Sequence, residues 1–263
     1  MTWLLLRGLT REARHWGNFA RQLAPLLPTP DSGAPQIVTL DLPGNGAFYR
    51  EASPGSVCGM VEFARQQLRG MGCPPPYRLI AMSLGGMVAT DWAQRYPHEV
   101  DRLALINTSL RPYSGPTERL RPGSWLRVMG LAARWHCGAS ADHVERVIHQ
   151  LTCQRLDTRA ADLTDWVRFR RQAPVSAANA GRQLWAAARF CSAAVPRSPV
   201  LVLSSRGDQL VHPRCSDRLA QAWKAEHHQH PWAGHDLPHD DPDWVGQRLA
   251  EWLKKTSSPA AGA

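Results

Sequence analysis

A serine set between small residues is the clearest chemical feature of the sequence. Residues 79–87 (LIAMSLGGM) carry an apolar strand pattern into a helical pattern at Ser83. Small side chains at Ala81 and Gly85 allow a strand and a helix to meet in a tight turn, which exposes the serine hydroxyl at the carboxyl end of the strand. The pattern therefore predicts a nucleophilic serine, although an ordinary strand-to-helix turn would have the same pattern.

Two later residues could activate such a serine. Asp208 comes just after the strand pattern at residues 200–203, and His235 follows Gly234 after the last strand pattern. A serine hydroxyl is a weak nucleophile until a base removes its proton, and a neutral imidazole is well suited to this task near neutral pH. A carboxylate fixes the tautomer of the imidazole and stabilises its cation. We therefore expect Ser83 as the nucleophile, His235 as the base and Asp208 as the acid that orients it.

Alternatives remain for both the base and the acid. The chain has 11 histidines, of which His212 and His239 lie nearest to the expected site in sequence. His235 is favoured because it directly follows a glycine after the last strand. Asp217 could serve as the acid but fits the first turn of the next helix, and Asp236 adjoins the base. The sequence alone leaves these alternatives open.

A glycine-containing turn near the start of the chain could stabilise a developing oxyanion. Arg7, Gly8 and Leu9 follow the apolar run at residues 3–6. The backbone N–H of Leu9 and that of Leu84, at the start of the helix after the serine, would donate to the same oxygen. Removal of one such donor typically slows acyl transfer by ~10²–10³-fold. We therefore expect the backbone of Leu9 and Leu84 to form an oxyanion hole.

The elements that must position these residues alternate along the chain. Short apolar runs bounded by turn residues are separated by longer helical patterns, which indicates parallel strands joined by crossover helices. The expected strands lie at residues 3–6, 37–40, 79–81, 103–106, 200–203 and, more weakly, 227–230, and the expected helices at 16–27, 57–68, 84–95, 217–224 and 241–254. We therefore predict an α/β fold with a doubly wound, mostly parallel sheet.

The segment 111–189 interrupts this alternation. It shows several amphipathic helical stretches and no convincing strand. We therefore expect a helical cap inserted into an α/β core that is formed by residues 1–110 and 190–255. Residues 256–263 are expected to be a flexible tail.

Most of the net charge lies in this expected cap. Between residues 111 and 190, 13 arginines and 6 acidic residues give +7 of the net charge of +9. These arginines could simply cover a solvated face, or they could guide an anionic substrate or an acidic acyl carrier. Arg155 and Arg159 are four residues apart, and Arg168 and Arg171 three apart, so each pair would share a helix face if those stretches are helical. Arg155 and Arg159 are therefore candidate substrate- or carrier-binding residues.

The remaining composition argues against several classes of protein. The chain has no apolar run near the ~20 residues of a membrane helix, and its apolar start is too short for a signal peptide, so we expect a cytoplasmic protein without a membrane span. No zinc-finger spacing, aromatic RNA-binding signature or basic heptad region indicates nucleic-acid binding. The six cysteines are scattered and form no C-x-x-C pair, so we expect free thiols and no metal.

Together these residues resemble the α/β-hydrolase superfamily and, within it, small esterases of the pimeloyl-[acyl-carrier protein] methyl ester esterase type. The resemblance covers nearly the whole chain and rests on RGL (7–9), DLPGNG (41–46), MSLGG (82–86), GDQLV (207–211), GH (234–235) and DPDW (241–244). It implies the α/β-hydrolase fold, the triad and oxyanion donors described above, a small-molecule acyl ester or thioester substrate, and no cofactor. Arg7 replaces the histidine that usually precedes the glycine, which changes the charge near the expected pocket.

Several functions are compatible with this resemblance. Hydrolysis of a carboxylic ester or thioester through an acyl-enzyme on Ser83 is the favoured one. A carbon–carbon bond hydrolase, or a lyase resembling the menaquinone-pathway enzyme, could use the same triad, and an anionic substrate would suit a basic cap. A serine at this turn argues against dehalogenases and epoxide hydrolases, which attack with an aspartate. An intact triad argues against an inert binding module.

Overall fold

Across residues 2–28, 35–192 and 194–257, which the computed structural model describes, six parallel strands form a single sheet. The strands are β1 (Thr2–Leu6), β2 (Gln36–Leu40), β3 (Tyr77–Met82), β4 (Val100–Ile106), β5 (Val200–Ser205) and β6 (Glu226–His230). Their order is β2-β1-β3-β4-β5-β6, and every neighbouring pair is parallel. The predicted fold class is confirmed, and the sheet includes β6, whose polar sequence gives the weakest strand pattern.

Eleven α-helices accompany the sheet in the same ranges. They are α1 (Phe19–Leu23), α2 (Val57–Gly70), α3 (Leu84–Arg95), α4 (Pro116–Arg119), α5 (Pro122–His136), α6 (Ala141–Thr152), α7 (Arg159–Gln172), α8 (Ala177–Arg189), α9 (Arg214–Trp223), α10 (Leu237–Asp240) and α11 (Pro242–Ser257). Helices α4 to α8 lie between β4 and β5, and we call them the inserted helices. No helix in the described ranges is both long and apolar enough to cross a membrane.

Two boundaries differ from the sequence expectation. The helix expected at residues 16–27 is interrupted, because Gly17 adopts a positive φ of 52° and only the residues of α1 are α-helical. The last helix continues to Ser257, so the tail expected from residue 256 does not begin there. The rest of that expected tail, residues 258–263, lies outside the described residues.

Both faces of the sheet are buried, as is usual for parallel strands. Along β1, Leu4 and Leu6 belong to a core cluster that contains residues of α2 and α3, whereas Leu5 belongs to a second cluster with residues of α1 and α11. The alternation arises because successive strand residues point to opposite faces. The sheet is thus fixed from both sides, and the carboxyl ends of its strands present the loops after β1, β3, β5 and β6 at one edge.

Candidate active site

Ser83 lies in the turn between β3 and α3. Its φ of 54° is unusual for a residue other than glycine. The Ser83 N–H donates to the Ile106 carbonyl at 2.9 Å, and the Thr108 hydroxyl donates to the Ser83 carbonyl at 2.8 Å. A Cβ on Gly85 would come within 2.6 Å of carbonyl oxygens at the end of β1. Glycine is therefore required for α3 to approach β1, as the predicted tight turn demands.

Asp208 and His235 form a buried hydrogen-bonded pair. His235 Nδ1 lies 2.7 Å from Asp208 Oδ2, and the two residues are 5% and 1% exposed, respectively. The other carboxylate oxygen, Oδ1, accepts the backbone N–H groups of Leu210 and Val211 at 2.7 and 2.9 Å. Because one oxygen is held by the backbone, Asp208 presents the other to the imidazole. The structure therefore brings the expected acid and base together.

The charges around His235 favour its protonated form. Burial lowers the pKa of this imidazole, but the carboxylates of Asp208 and Asp236 raise it, with Arg7 acting against them. The net result is a pKa of His235 above its ordinary value. An imidazolium at this position is therefore stabilised mainly by the hydrogen-bonded carboxylate of Asp208.

The loop after β1 lies directly against Ser83. A Cβ on Gly8 would lie 3.0 Å from Ser83 Cβ, so a larger residue would push the loop away. Gly8, Leu9 and Leu84 line the same cavity as Ser83 and His235. The Leu84 N–H belongs to the first residue of α3 and has no acceptor within the helix. Both expected oxyanion donors therefore border the cavity at the serine.

A side chain from the inserted helices fixes the loop after β1, residues 7–11, which we call the oxyanion loop because it contains the expected donor Leu9. Thr10, directly after Leu9, has a φ of 56°, and its N–H donates to Gln183 Oε1 on α8 at 2.8 Å. Gln183 is fully buried, and its side-chain nitrogen donates to Asn45 Oδ1 at 3.0 Å. The glycine-rich turn at residues 41–46 thus braces the oxyanion loop through Gln183. No sequence pattern indicates this contact.

Arg7 is paired with Asp236. Both side chains are 2% exposed, and two hydrogen bonds of 3.0 and 2.5 Å join the guanidinium to the carboxylate. Burial raises the pKa of Asp236, but Arg7 brings it below its ordinary value. The charge change expected at Arg7 is therefore compensated by a buried carboxylate. Asp236, one of the alternative acids, is bonded to Arg7 and not to the imidazole beside it.

A second buried ion cluster joins the oxyanion loop to α6 and α7. Glu145 is 0% exposed, and its carboxylate accepts hydrogen bonds from Arg11 Nη1 at 2.5 Å and from Arg170 Nε. The Arg11 guanidinium also lies 4.4 Å over the ring of Trp166. Removal of one member of a buried ion cluster typically costs about 3–5 kcal/mol, because the remaining charge is left uncompensated. Contacts from α6, α7 and α8 therefore hold residues 7–11 in place.

A cavity of about 290 Å³ separates the core loops from the inserted helices. The core side contains Ser83 and His235. The opposite side is mostly apolar and includes Leu131, Trp135, Ile148, Leu151, Ala180 and Leu184. The arrangement can hold an apolar group whose carbonyl carbon lies at the serine.

The arginines considered for substrate or carrier binding lie outside this cavity. Arg155 lies in the connection before α7, and its guanidinium pairs with Asp157 at 3.0 Å. The helix begins only at Arg159, so the expectation that these two arginines share a helix face is wrong. Arg168 and Arg171 do both lie on α7. Within the described part of the chain, neither Arg155 nor Arg159 lines the cavity.

The competing candidates for base and acid have other partners. His239 Nε2 lies 3.1 Å from Asp162 Oδ2, and His212 Nδ1 accepts the backbone N–H of Arg214 at 3.2 Å. Asp217 lies in the first turn of α9, as the sequence predicted. As far as the structure describes the cavity lining, these three candidates are not part of it.

Asn107 positions the histidine loop, a role that the sequence reasoning missed. It directly follows β4 with a φ of 46° and is buried. Its side-chain nitrogen donates to the carbonyls of His235 at 2.8 Å and Gly234 at 3.2 Å, and its oxygen accepts the Ser205 N–H at 2.9 Å. Asn107 thereby joins the ends of β4 and β5 to the loop of the base. Its sequence signal is an asparagine placed directly after an apolar strand.

The sequence of this chain is similar to those of known proteins. The family described as alpha/beta hydrolase fold matches residues 4–242. A pimeloyl-[acyl-carrier protein] methyl ester esterase from Chromobacterium violaceum is 39% identical over 72 residues, which cover 27% of this chain and 26% of that protein. The biotin biosynthesis bifunctional protein BioHC from Teredinibacter turnerae is 32% identical over 108 residues, which cover 40% of this chain and 17% of that protein. Both alignments span well under two thirds of the relatives' lengths.

The fold is also shared with solved structures. A thermophilic esterase from Thermogutta terrifontis superimposes with a TM-score of 0.72 over 98% of this chain and 91% of that chain. The two sequences are 21% identical. At that identity the likeness concerns the fold alone.

Proposed function

Because the chain belongs to the α/β-hydrolase fold family, we propose that it is a serine hydrolase that cleaves a carboxylic ester or thioester. The observation that carries this proposal is the buried 2.7 Å contact between His235 and Asp208 beside the cavity that Ser83 lines. The names of the esterases among the similar proteins agree with it.

The reaction follows from the hydrogen-bonding roles of these residues. Because His235 Nδ1 donates to Asp208, Nε2 carries no proton and can accept the one from the Ser83 hydroxyl. The serine oxygen attacks the acyl carbon, and the N–H groups of Leu9 and Leu84 stabilise the oxyanion. His235 returns the proton to the leaving alcohol or thiol as the C–O or C–S bond breaks. Water, deprotonated by the same base, then releases the acid and restores Ser83.

In this proposal the inserted helices act as a cap that selects the acyl group. Residues 111–189 form the cap, and residues 1–110 and 190–255 form the hydrolase core. The apolar side chains that the cap contributes to the cavity favour an aliphatic or aromatic acyl group, since burial of apolar surface is favourable at about 25 cal/mol per Å². The core side contributes Ser83 and His235, where the carbonyl must bind.

A bulkier side chain in the cap should shorten the acyl chains that the enzyme accepts. Ala180 on α8 lines the cavity, whereas Ala178 on the same helix is outside the described lining. Ala180→Phe should therefore lower kcat/KM for octanoyl esters by roughly tenfold or more relative to acetyl esters. Ala178→Phe is the matched control and should leave this ratio unchanged.

The measurement is kcat/KM on aryl esters and thioesters of graded acyl chain length. If the unmodified enzyme cleaved no ester or thioester of the series, the proposed hydrolase function would be wrong. If it cleaved them but both phenylalanine variants gave the same ratio, only the role of the cap would be rejected.

The acidic limb of the pH profile should report the titration of His235. Asp208 and Asp236 raise the pKa of this residue above its ordinary value. The base works only when neutral, so kcat/KM should fall as the pH decreases through that pKa and be half-maximal above about pH 6.5. A neutral aryl ester is the suitable substrate because it does not itself titrate in this range. A midpoint well below pH 6.5 would contradict the assignment.

The basic cap further supports an acidic acyl carrier as the natural bearer of the acyl group. The substrate in the name of one relative is attached to an acyl-carrier protein. The cap segment of the present chain holds most of its net charge of +9. Arg155 and Arg159 lie outside the cavity lining, so in this proposal they would act on the carrier and not on the acyl group.

Added salt should slow the reaction of a carrier-linked ester selectively. Exposed charges act over about 10 Å at 0.1 M salt, so kcat/KM for an acidic carrier-linked ester should fall steeply as salt is added, whereas a neutral aryl ester should react at a nearly constant rate. Arg155→Glu combined with Arg159→Glu should slow only the carrier-linked ester. The control changes Arg21 and Arg69, exposed on core helices, to glutamate, with the same change in net charge. If the two double substitutions had equal effects on the carrier-linked ester, we would conclude that the cap arginines only cover a solvated surface.

A further inference from the structure

Two histidines and a cysteine meet where the end of α6 lies beside α10. His149 is in the last turn of α6, Cys153 directly follows that helix, and His239 lies on α10. One possible ligand atom of each residue, a ring nitrogen or the sulfur, lies within 4.8 Å of the other two. The group therefore draws on both the inserted helices and the segment that follows β6.

The two imidazoles share one carboxylate. Asp162 Oδ2 on α7 lies 3.4 Å from His149 Nε2 and 3.1 Å from His239 Nε2. This leaves Nδ1 as the remaining nitrogen of each ring. His149 is 0% exposed, and its Nδ1 has no hydrogen-bond partner among the described residues. A buried polar atom without a partner is costly, so this nitrogen is well placed to bind a ligand.

We propose that His149, Cys153 and His239 bind a zinc ion through one ring nitrogen of each histidine and the cysteine sulfur. Zinc in proteins is held by imidazole nitrogen and thiolate sulfur. A histidine that binds a metal usually donates its other ring N–H to a carboxylate or carbonyl, and Asp162 is placed to accept from both rings. The thiol releases its proton to solvent when the ion binds, since the thiolate is the ligand.

The three side chains are close enough to share one ion. Tetrahedral zinc with ordinary Zn–N and Zn–S distances places its donor atoms about 3.3–3.6 Å apart. One ring nitrogen of each histidine and the Cys153 sulfur lie within 4.8 Å of one another, so rotations of the three side chains can bring their donors onto one ion. His239 is partly exposed, which provides access from solvent and leaves a fourth position for water.

The role of the ion is structural. Two ligands come from α6 and its end, and the third lies four residues after His235, so the ion would clamp the inserted helices to the segment that carries the base. Within the described cavity lining, none of the three ligands occurs, so the ion does not contact the acyl group. The expectation of no metal arose because the third donor lies far along the chain from the other two.

Zinc affinity and cobalt absorption test this site directly. The exposed Cys58, Cys137 and Cys191 are replaced by serine in every protein used, so that they cannot bind metal adventitiously. The metal-free parent is titrated with Zn²⁺ in competition with a coloured chelator, and Co²⁺ serves as the spectroscopic substitute. We expect a single tight zinc site and a cobalt spectrum with a thiolate-to-metal charge-transfer band and the intense visible bands of tetrahedral coordination.

Three substitutions distinguish the site from general metal binding. Cys153→Ser should remove the charge-transfer band and most of the zinc affinity. Asp162→Asn should keep the band but weaken zinc binding by about 10–100-fold, because it removes only the support of the two rings. Cys73→Ser removes a thiol that is equally buried, at 4% exposure, and should bind zinc as the parent does. Circular dichroism checks that each variant is folded.

Two outcomes would overturn the proposal. One is failure of the parent to compete with a chelator of micromolar zinc affinity, and the other is equal zinc binding by the parent and Cys153→Ser. The first outcome needs no substitution at the site, so it decides the question even if a variant does not fold. Neither readout involves ester hydrolysis, so the result is independent of the proposed catalytic function.

Discussion

Ser83→Ala should reduce ester hydrolysis by about 10³-fold or more. In the proposed mechanism the substitution removes the atom that forms the acyl-enzyme and leaves only the oxyanion donors and substrate binding, which contribute a small residual rate. The fold should survive, because alanine has a Cβ like serine and the bonds that hold the turn, to Ile106 and Thr108, use the backbone of residue 83. The measurement is kcat on an aryl ester together with labelling by a fluorophosphonate probe.

Ser109→Ala is the matched control for this experiment. Ser109 is a buried serine that lines the same cavity. Its replacement should leave both labelling and kcat close to those of the unmodified enzyme. Labelling that persists in Ser83→Ala, or a rate that remains high, would show that another residue is the nucleophile.

Asp208→Asn should lower kcat by on the order of 10⁴-fold, the size of effect known for the equivalent change in a serine protease triad. Asp208 Oδ1 accepts the N–H groups of Leu210 and Val211. Because an asparagine nitrogen cannot accept these bonds, its oxygen must take that side and its NH₂ group must face His235. The imidazole then accepts at Nδ1 and carries its proton on Nε2, where it can no longer deprotonate Ser83.

The pH profile separates this effect from simple loss of structure. Asp208 contributes to the raised pKa of His235, so the residual activity of Asp208→Asn should extend to lower pH than that of the unmodified enzyme. Asp217→Asn tests the alternative acid on α9 and should change neither kcat nor the midpoint. Full activity in Asp208→Asn, or a comparable loss in Asp217→Asn, would reassign the acid.

The sequence predicts the sheet and the nearby geometry of the serine because those features are local. An apolar run followed by small residues at Ala81 and Gly85 defines the turn around Ser83 without information from elsewhere in the chain. The strand positions follow in the same way from burial on both faces. The pattern is weakest for β6, predicted at residues 227–230, because its sequence is polar.

The contacts that hold the site together could not be read from the sequence, because each joins distant parts of the chain. Nothing near Arg7 indicates that its charge is balanced by Asp236. Gln183 and Glu145 lie in helices whose sequence predicts only a helical cap, yet they bond to the oxyanion loop. The helix face that Arg155 and Arg159 were expected to share does not form, because the helix begins only at Arg159. A spacing of four residues predicts a shared face only where both residues are helical.

The bonds from Gln183 and Glu145 to the oxyanion loop limit how freely the inserted helices can be exchanged for those of a related protein. A segment inserted between two strands could in principle be exchanged between related proteins as a unit. Here, however, exchange of the segment between β4 and β5 would also remove the acceptor of the Thr10 N–H and the buried counter-charge of Arg11. A chimera would have to carry both side chains along or redesign residues 7–11. In this protein the inserted helices and residues 7–11 would therefore have to be exchanged together.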